Sequence, residues 1–268
     1  MELDLSAFAT HELRLDEVKA LGKDFTGWTS GMFVCRGDDR IAARFFAGHG
    51  YESVTRELWR RCCKNAPIVV DVGTHSGVFT LDAYRAGARI VLSVEPHPIN
   101  FARMVMNLRH NGFPQFGAYL GAAGDVTKTS MFNARTLHAV HAAGQVGFEG
   151  KGEHIPVRVV RLDELIGPSK WPNIKAVKID AENYTPAAIE GMSKLFDAGH
   201  FPDLFIECIQ GGMGDRLKSL GYKFWTIWET GKVEPVDDLL PHNPENNYNG
   251  THEDCRNRFA SVRGLPES

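Results

Sequence analysis

The chain has 268 residues, 43% of them hydrophobic, with a formal net charge of −3 and a sequence pI near 6.4. That is enough for one large core, and with no run of Lys or Arg longer than two it lacks the electrostatic footprint of a nucleic-acid partner. The five cysteines (Cys35, Cys62, Cys63, Cys208, Cys255) are odd in number and lack C-x-x-C spacing, which excludes a closed disulfide framework and predicts reduced thiols in a cytoplasmic protein; no stretch approaches the roughly 18 apolar residues of a membrane span, and the acidic opening has no signal-peptide core.

Residues 1–50 read as a peripheral cap, with a helix over 13–21 and two strands joined at Gly37-Asp38-Asp39. Residues 51–64 space Val54, Leu58 and Cys62 four apart, a helix whose wet face would carry Arg56, Arg60 and Arg61. The stretch IVVDVGTHSGVFTL (68–81) follows: a buried parallel strand, a tight turn and a helix N-terminus. Gly73 and Gly77 suit a turn that needs positive φ and lets a ligand approach the backbone.

The spacing is D-x-G-x-x-x-G, with His75 where a dinucleotide fingerprint wants glycine, which argues against a nicotinamide oxidoreductase. A compact nucleoside with an amino-acid end fits better. Asp71 would take its ammonium, the turn's N–H groups, with Thr74 and His75, its carboxylate. Glu95, 18 residues after Gly77 and ending the strand over 90–98, would accept both ribose hydroxyls beside Pro96. The ligand with all these parts is S-adenosyl-L-methionine.

A helix over 78–86 ends at Gly87, a second over 99–110 turns Phe101, Val105 and Leu108 inward, and a third strand over 116–123 thins to Gly121, Ala122 and Ala123. Those small residues leave room for a purine, with Asp125 in reach of its amine. Residues 129–155 are too long for a plain connection and are assigned as a lid; its His138 and His141 have i,i+3 spacing but no third ligand, so no metal is expected. A strand runs into a short helix over 157–166, and Pro168 and Pro172 mark a loop. The strand over 174–183 places Lys178, Asp180 and Glu182 on one face by its period of two, at the carboxyl end where open α/β sheets hold ligands. A helix over 185–196, a strand over 203–208 ending near Glu207, a helix over 215–220, a hairpin over 222–236 and a polar tail from Pro241 complete the chain.

In this order VVDVGTHSGVFTL, VEPHPINFARMVMNL, VRLDELI, VKIDAEN and PDLFIEC resemble the FkbM-type S-adenosylmethionine-dependent methyltransferases over residues 51–208. The resemblance implies an α/β fold of the class I, Rossmann-like kind: a mostly parallel seven-stranded sheet with helices on both faces, here ending in an antiparallel C-terminal hairpin. It implies a methyltransferase domain over 51–240, with the lid inserted and a tail over 241–268. Asp71, Gly73 and Gly77 would line the methionine end, Glu95 the ribose, and Asp180 would lie below the transferring methyl. The implied acceptor is a hydroxyl of a small molecule or glycan, with N-methylation and binding without turnover as alternatives and homo-oligomerisation left open. Proton acceptors would be Asp180 or Glu182, or His138 or His141 from the lid. Two positions depart from the family pattern: His75 replaces asparagine, and D-A-E-N replaces D-V-E-G, altering the backbone beside the reaction centre.

Overall fold

The computed structural model describes residues 10–12, 33–35, 52–114, 117–134, 145–147, 152–207, 213–228, 231–239 and 257–266. In chain order its elements are β1 (Thr10–Glu12), β2 (Phe33–Cys35), α1 (Ser53–Cys63), β3 (Ile68–Val72), α2 (Val78–Arg85), β4 (Ile90–Glu95), α3 (Pro98–His110), β5 (Ala118–Leu120), β6 (Ala122–Ala123), β7 (Lys128–Asn133), β8 (Gln145–Val146), β9 (His154–Val160), α4 (Leu162–Ile166), β10 (Ile174–Ile179), α5 (Thr185–Glu190), α6 (Ser193–Asp197), β11 (Asp203–Ile206), α7 (Met213–Ser219), β12 (Lys223–Ile227), β13 (Val233–Val236) and β14 (Arg258–Ser261).

Among the described residues the main sheet has eight strands in the order β13-β12-β14-β11-β10-β3-β4-β5. The five from β11 to β5 run parallel, while β14 is antiparallel to both β11 and β12, and β13 to β12. All five residues of β3 are buried, as a central strand covered on both faces requires. One face packs Val69, Val91, Ala176 and Phe205 against Trp59, Phe79, Leu81, Met104 and Leu108 of α1 to α3. The other packs Val70, Val94, Val177, Ile179 and Leu204 against Leu162, Ile189, Leu195, Phe196 and Leu217 of α4 to α7. Helices therefore cover both faces, as expected.

Four features differ from the sequence expectations. The seven-stranded sheet gains an eighth strand because β14, from the segment assigned as a polar tail, inserts between β11 and β12; Phe259, Ala260 and Ser261 are fully buried there, and Ser261 Oγ donates to Asp203 Oδ1 at 2.6 Å. Arg56 is not on a wet face. It is buried, and its guanidinium donates to Asp82 of α2 at 2.6 and 3.2 Å. The helix expected over 185–196 is two, α5 and α6, broken at Gly191, where a Cβ would stand 2.2 Å from the Gly124 carbonyl oxygen. The strand expected over 116–123 splits into β5 in the main sheet and β6 in a second, four-stranded sheet ordered β6-β9-β7-β8.

Within the stretch assigned as a lid, that second sheet takes in β7, β8 and the start of β9; residues 135–144 and 148–151 lie outside the described residues. In the cap, β1 pairs antiparallel with β2 over Thr10–Cys35 to Glu12–Phe33; the expected 13–21 helix and the Gly37-Asp38-Asp39 turn lie outside the described residues. Among the described residues no helix is long and apolar enough to cross a membrane.

Candidate active site

The carboxyl ends of β3, β4, β10 and β11 converge on one place. The turn after β3 carries two left-handed glycines, Gly73 at φ 75° and Gly77 at φ 91°, with His75 at φ 50° between them. The stronger requirement at Gly73 is proximity: a Cβ there would lie 1.8 Å from the backbone oxygen of Asp180. At Gly77 it would meet the Met104 side chain at 2.9 Å. The glycines thus seat the turn against β10 and α3. From α3, Asn107 Nδ2 donates to the Ser76 carbonyl at 2.7 Å and Thr74 Oγ1 to the Met104 sulfur at 3.1 Å. The face α3 buries is Asn100, Arg103, Met104, Asn107 and Leu108, more polar than the expected Phe101, Val105 and Leu108, and its Met104 and Asn107 are the residues that meet the turn.

Several of the turn's amides are paired within the protein. Gly73 N and Thr74 N both donate to the Val94 carbonyl, at 2.9 and 3.4 Å, and His75 N donates to Glu95 Oε2 at 2.8 Å. The His75 amide thereby orders Glu95: His97 N donates to its other oxygen at 2.9 Å, and burial with the neighbouring acids raises its pKa from 4.5 to about 7 against the lowering effect of those two amides. Each oxygen of an ionised carboxylate has two acceptor positions. One per oxygen is spent on backbone, leaving two for a vicinal diol. Gly121 N donates to the Glu95 carbonyl at 3.0 Å, which sets Ala122 and Ala123, both buried, beside this acid. Pro96 is part-exposed next to it, and the expected adenine contact Asp125 is exposed, its carbonyl accepting from Arg161.

Asp71 is fully buried: Thr80 Oγ1 donates to Oδ2 at 2.7 Å, while Oδ1 has no partner. Burial raises its pKa, opposed by the Lys178 ammonium of its register partner on β10.

Lys178 is 2% exposed, its Nζ 4.4 Å above the Phe79 ring and 3.6 Å from Asp180 Oδ2. Burial opposes its charge, but the acids around it, Asp180 first and then Glu52, Asp71 and Glu207, outweigh that and hold the pKa above the ordinary lysine value. The alternation expected to align Lys178, Asp180 and Glu182 ends with β10 at Ile179. Glu182 sits in a 3-10 turn, Glu182–Tyr184, at φ 50°. The left-handed position is thus Glu182 and not Asn183, so the asparagine in place of glycine does not strain this turn. Asp180 remains part-exposed at the strand end and holds the fold together through its own amide, which donates to the Val72 carbonyl at 3.0 Å.

His138 and His141 lie outside the described residues. Two contributors went unrecognised in the sequence: His97, whose amide holds Glu95 and whose ring meets Phe132 of β7 at 6.2 Å, and Glu52, which precedes α1 and accepts from Asn257 at 2.9 Å. Glu52 acts through a partner distant in sequence and carries no local signal, whereas the His97 amide lies two residues from the acid it holds. Among the described residues no group of three or more His, Cys, Asp or Glu is placed to hold a metal ion.

The model of the methyltransferase FkbM domain matches residues 71–224, more than half of the chain. The chain belongs to the FkbM methyltransferase family. It is a methyltransferase built on a mixed α/β sheet, and that membership implies S-adenosylmethionine as methyl donor. Solved structures similar to it include a candidate RNA methyltransferase from Pyrococcus horikoshii (13% identity, 81% of this chain and 85% of that one, TM-score 0.40). Two others are a precorrin-6y C5,15-methyltransferase from Geobacter metallireducens GS-15 (12%, 79% and 89%, TM-score 0.40) and a precorrin 8w decarboxylase from Methanobacterium thermoautotrophicum (14%, 77% and 87%, TM-score 0.37). Likeness at that level says nothing of substrate. No curated protein matches the chain at a significant level.

Proposed function

We propose that the protein transfers a methyl group from S-adenosylmethionine to a hydroxyl of a small molecule or sugar, with Asp180 taking the hydroxyl proton. The donor fits the residues present. Glu95 offers two free acceptor positions on a backbone-held carboxylate, and the small residues Ala122 and Ala123 leave space beside it for a purine. Bound there, S-adenosylmethionine supplies an electrophilic methyl on a sulfonium whose bond pair passes to sulfur. The chain's own task is to orient a nucleophile and receive its proton.

The observation that carries the reading is the contact between Gly73 and Asp180. It seats the Asp180 backbone against the turn that closes the cofactor end, so that its part-exposed carboxylate, 3.6 Å from the Lys178 ammonium, stands at that end. Glu182 and the lid histidines His138 and His141 are the alternative acceptors. A carboxylate suits a hydroxyl acceptor, since an amine nucleophile must arrive already deprotonated. Incubation with methyl-labelled donor and paired hydroxyl and amine acceptors tests this. The reading expects label on the hydroxyl compounds and at least a ~100-fold loss in Asp180→Asn; label on amines alone, or turnover in Asp180→Asn within about threefold of wild type, contradicts it.

A further inference from the structure

Asp180 and Glu207 close neighbouring parallel strands. The pairing of Ile179 with Ile206 sets them side by side, and Glu207 N donates to the Ile179 carbonyl at 3.0 Å, carrying the ladder one residue past β11. That adjacency brings their carboxyl groups within hydrogen-bonding reach of each other. Two ionised carboxylates have only acceptors, so the pair bonds only when it holds a proton.

Its position follows from the surroundings. Glu207 Oε2 is enclosed and has no partner, whereas Asp180 keeps 23% side-chain exposure and stands 3.6 Å from the Lys178 ammonium. The charges that face Glu207 are Asp180 and Glu52, both anionic, and Lys178. Burial, then Asp180 and Glu52, push its pKa well above the ordinary glutamate value, with Lys178 opposing. The proton therefore belongs to Glu207.

We infer that Glu207 is a positioning residue: a protonated acid that donates to Asp180 and fixes the carboxylate receiving the acceptor's proton, which the Lys178 ammonium approaches to 3.6 Å. This rests on the reading of Asp180 as proton acceptor. In each turnover the acceptor's O–H proton passes to Asp180, and the oxygen keeps the electron pair that forms the new O–C bond. The carboxyl pair then holds two protons and returns one to solvent. The donated bond makes Asp180 a weaker base but removes its freedom to rotate. Glutamine at 207 preserves a donor; leucine does not.

The test is a carboxyl carbon-13 titration of the full chain, with Glu207 assigned by its loss in Glu207→Gln and S-adenosylhomocysteine affinity measured on the same samples. Glu207 is expected to stay protonated at pH 7 in wild type and to titrate lower in Asp180→Asn, where its charged neighbour is gone. A Glu207 resonance that ionises in the ordinary range, below about pH 5, overturns the inference. If Glu207→Gln does not fold, the resonance moved by Asp180→Asn supplies the assignment. Once an acceptor is assayed, turnover in Glu207→Gln stays within about threefold of wild type and loses the decline at high pH, whereas Glu207→Leu loses about tenfold or more in kcat at unchanged KM for the donor. Equal losses in the two variants contradict a donor role. Absent S-adenosylhomocysteine binding would sink the cofactor reading and leave the proton assignment intact; normal binding with an ionised Glu207 does the reverse.

Discussion

The turns after β3 and after β10 lie in contact, yet they are built by opposite means. At the first, backbone does the work: amides of His75 and His97 hold both oxygens of Glu95, and amides of Gly73 and Thr74 meet the Val94 carbonyl. At the second, side-chain charge does it: Lys178 stands among Asp71, Asp180, Glu52 and Glu207, drawn from β3, β10, β11 and the start of α1. A site made from backbone is specified by a short local pattern and is rigid. One made from long-range charge can be tuned by pH and by single substitutions.

The largest effect should come from the joint between the two. Gly73→Ala drives a Cβ to 1.8 Å from the Asp180 oxygen at a left-handed φ, and the expected loss is roughly 5 kcal/mol, read by chemical denaturation, with cofactor affinity lost alongside. Tolerance of alanine there would break the claim that the turns are interlocked.

Next is the charge-built side. Lys178→Met leaves buried carboxylates without their cation and should destabilise by about 3–5 kcal/mol at pH 7. The loss should shrink as pH is lowered toward about 5, because the acids, freed from the lysine, have raised pKa values and shed their charge by taking up protons. A pH-independent loss would mean packing alone was removed. Smaller effects sharpen the contrast outside the site. Arg56→Ala strips the buried partner of Asp82 and should cost about 3 kcal/mol without altering S-adenosylhomocysteine affinity. Arg61→Ala, which removes an exposed pair with Glu57, should stay within about 0.5 kcal/mol.

The same division decided what was legible in the sequence. The strand, turn and acid of IVVDVGTHSG and IVLSVE are local patterns, and the structure keeps them as β3, the turn and β4 ending at Glu95. Individual strands and helices followed from apolar periodicity, and their arrangement as a mostly parallel sheet with helices on both faces from the family resemblance. What could not be read depended on partners far along the chain. Arg56 looks solvated until Asp82 of α2 is set beside it. The RFAS run reads as part of a polar tail until β11 and β12 leave a slot between them. The charge of Lys178 beside Asp71 is likewise set by the pairing of β10 with β3, which no local pattern announces. Alternation along 174–183 fails at Ile179 because the chain must turn where Gly73 abuts Asp180.

Glu95 carries the central claim, and its protonation gives that claim a sign. Because its folded pKa is raised from 4.5 to about 7, the folded state holds this proton more tightly than the unfolded chain, so its contribution to stability declines as pH rises through that window. Ribose hydroxyls donate to the ionised form, so binding should release the proton and strengthen with pH over the same range. The direct measurement is a calorimetric titration with S-adenosylhomocysteine at pH 6 and pH 8, on wild type and on folded Glu95→Ala. Tighter wild-type binding at pH 8, and at least about a tenfold loss in the variant, is the predicted result. No heat with wild type, or an affinity that ignores both the pH and the substitution, would contradict it.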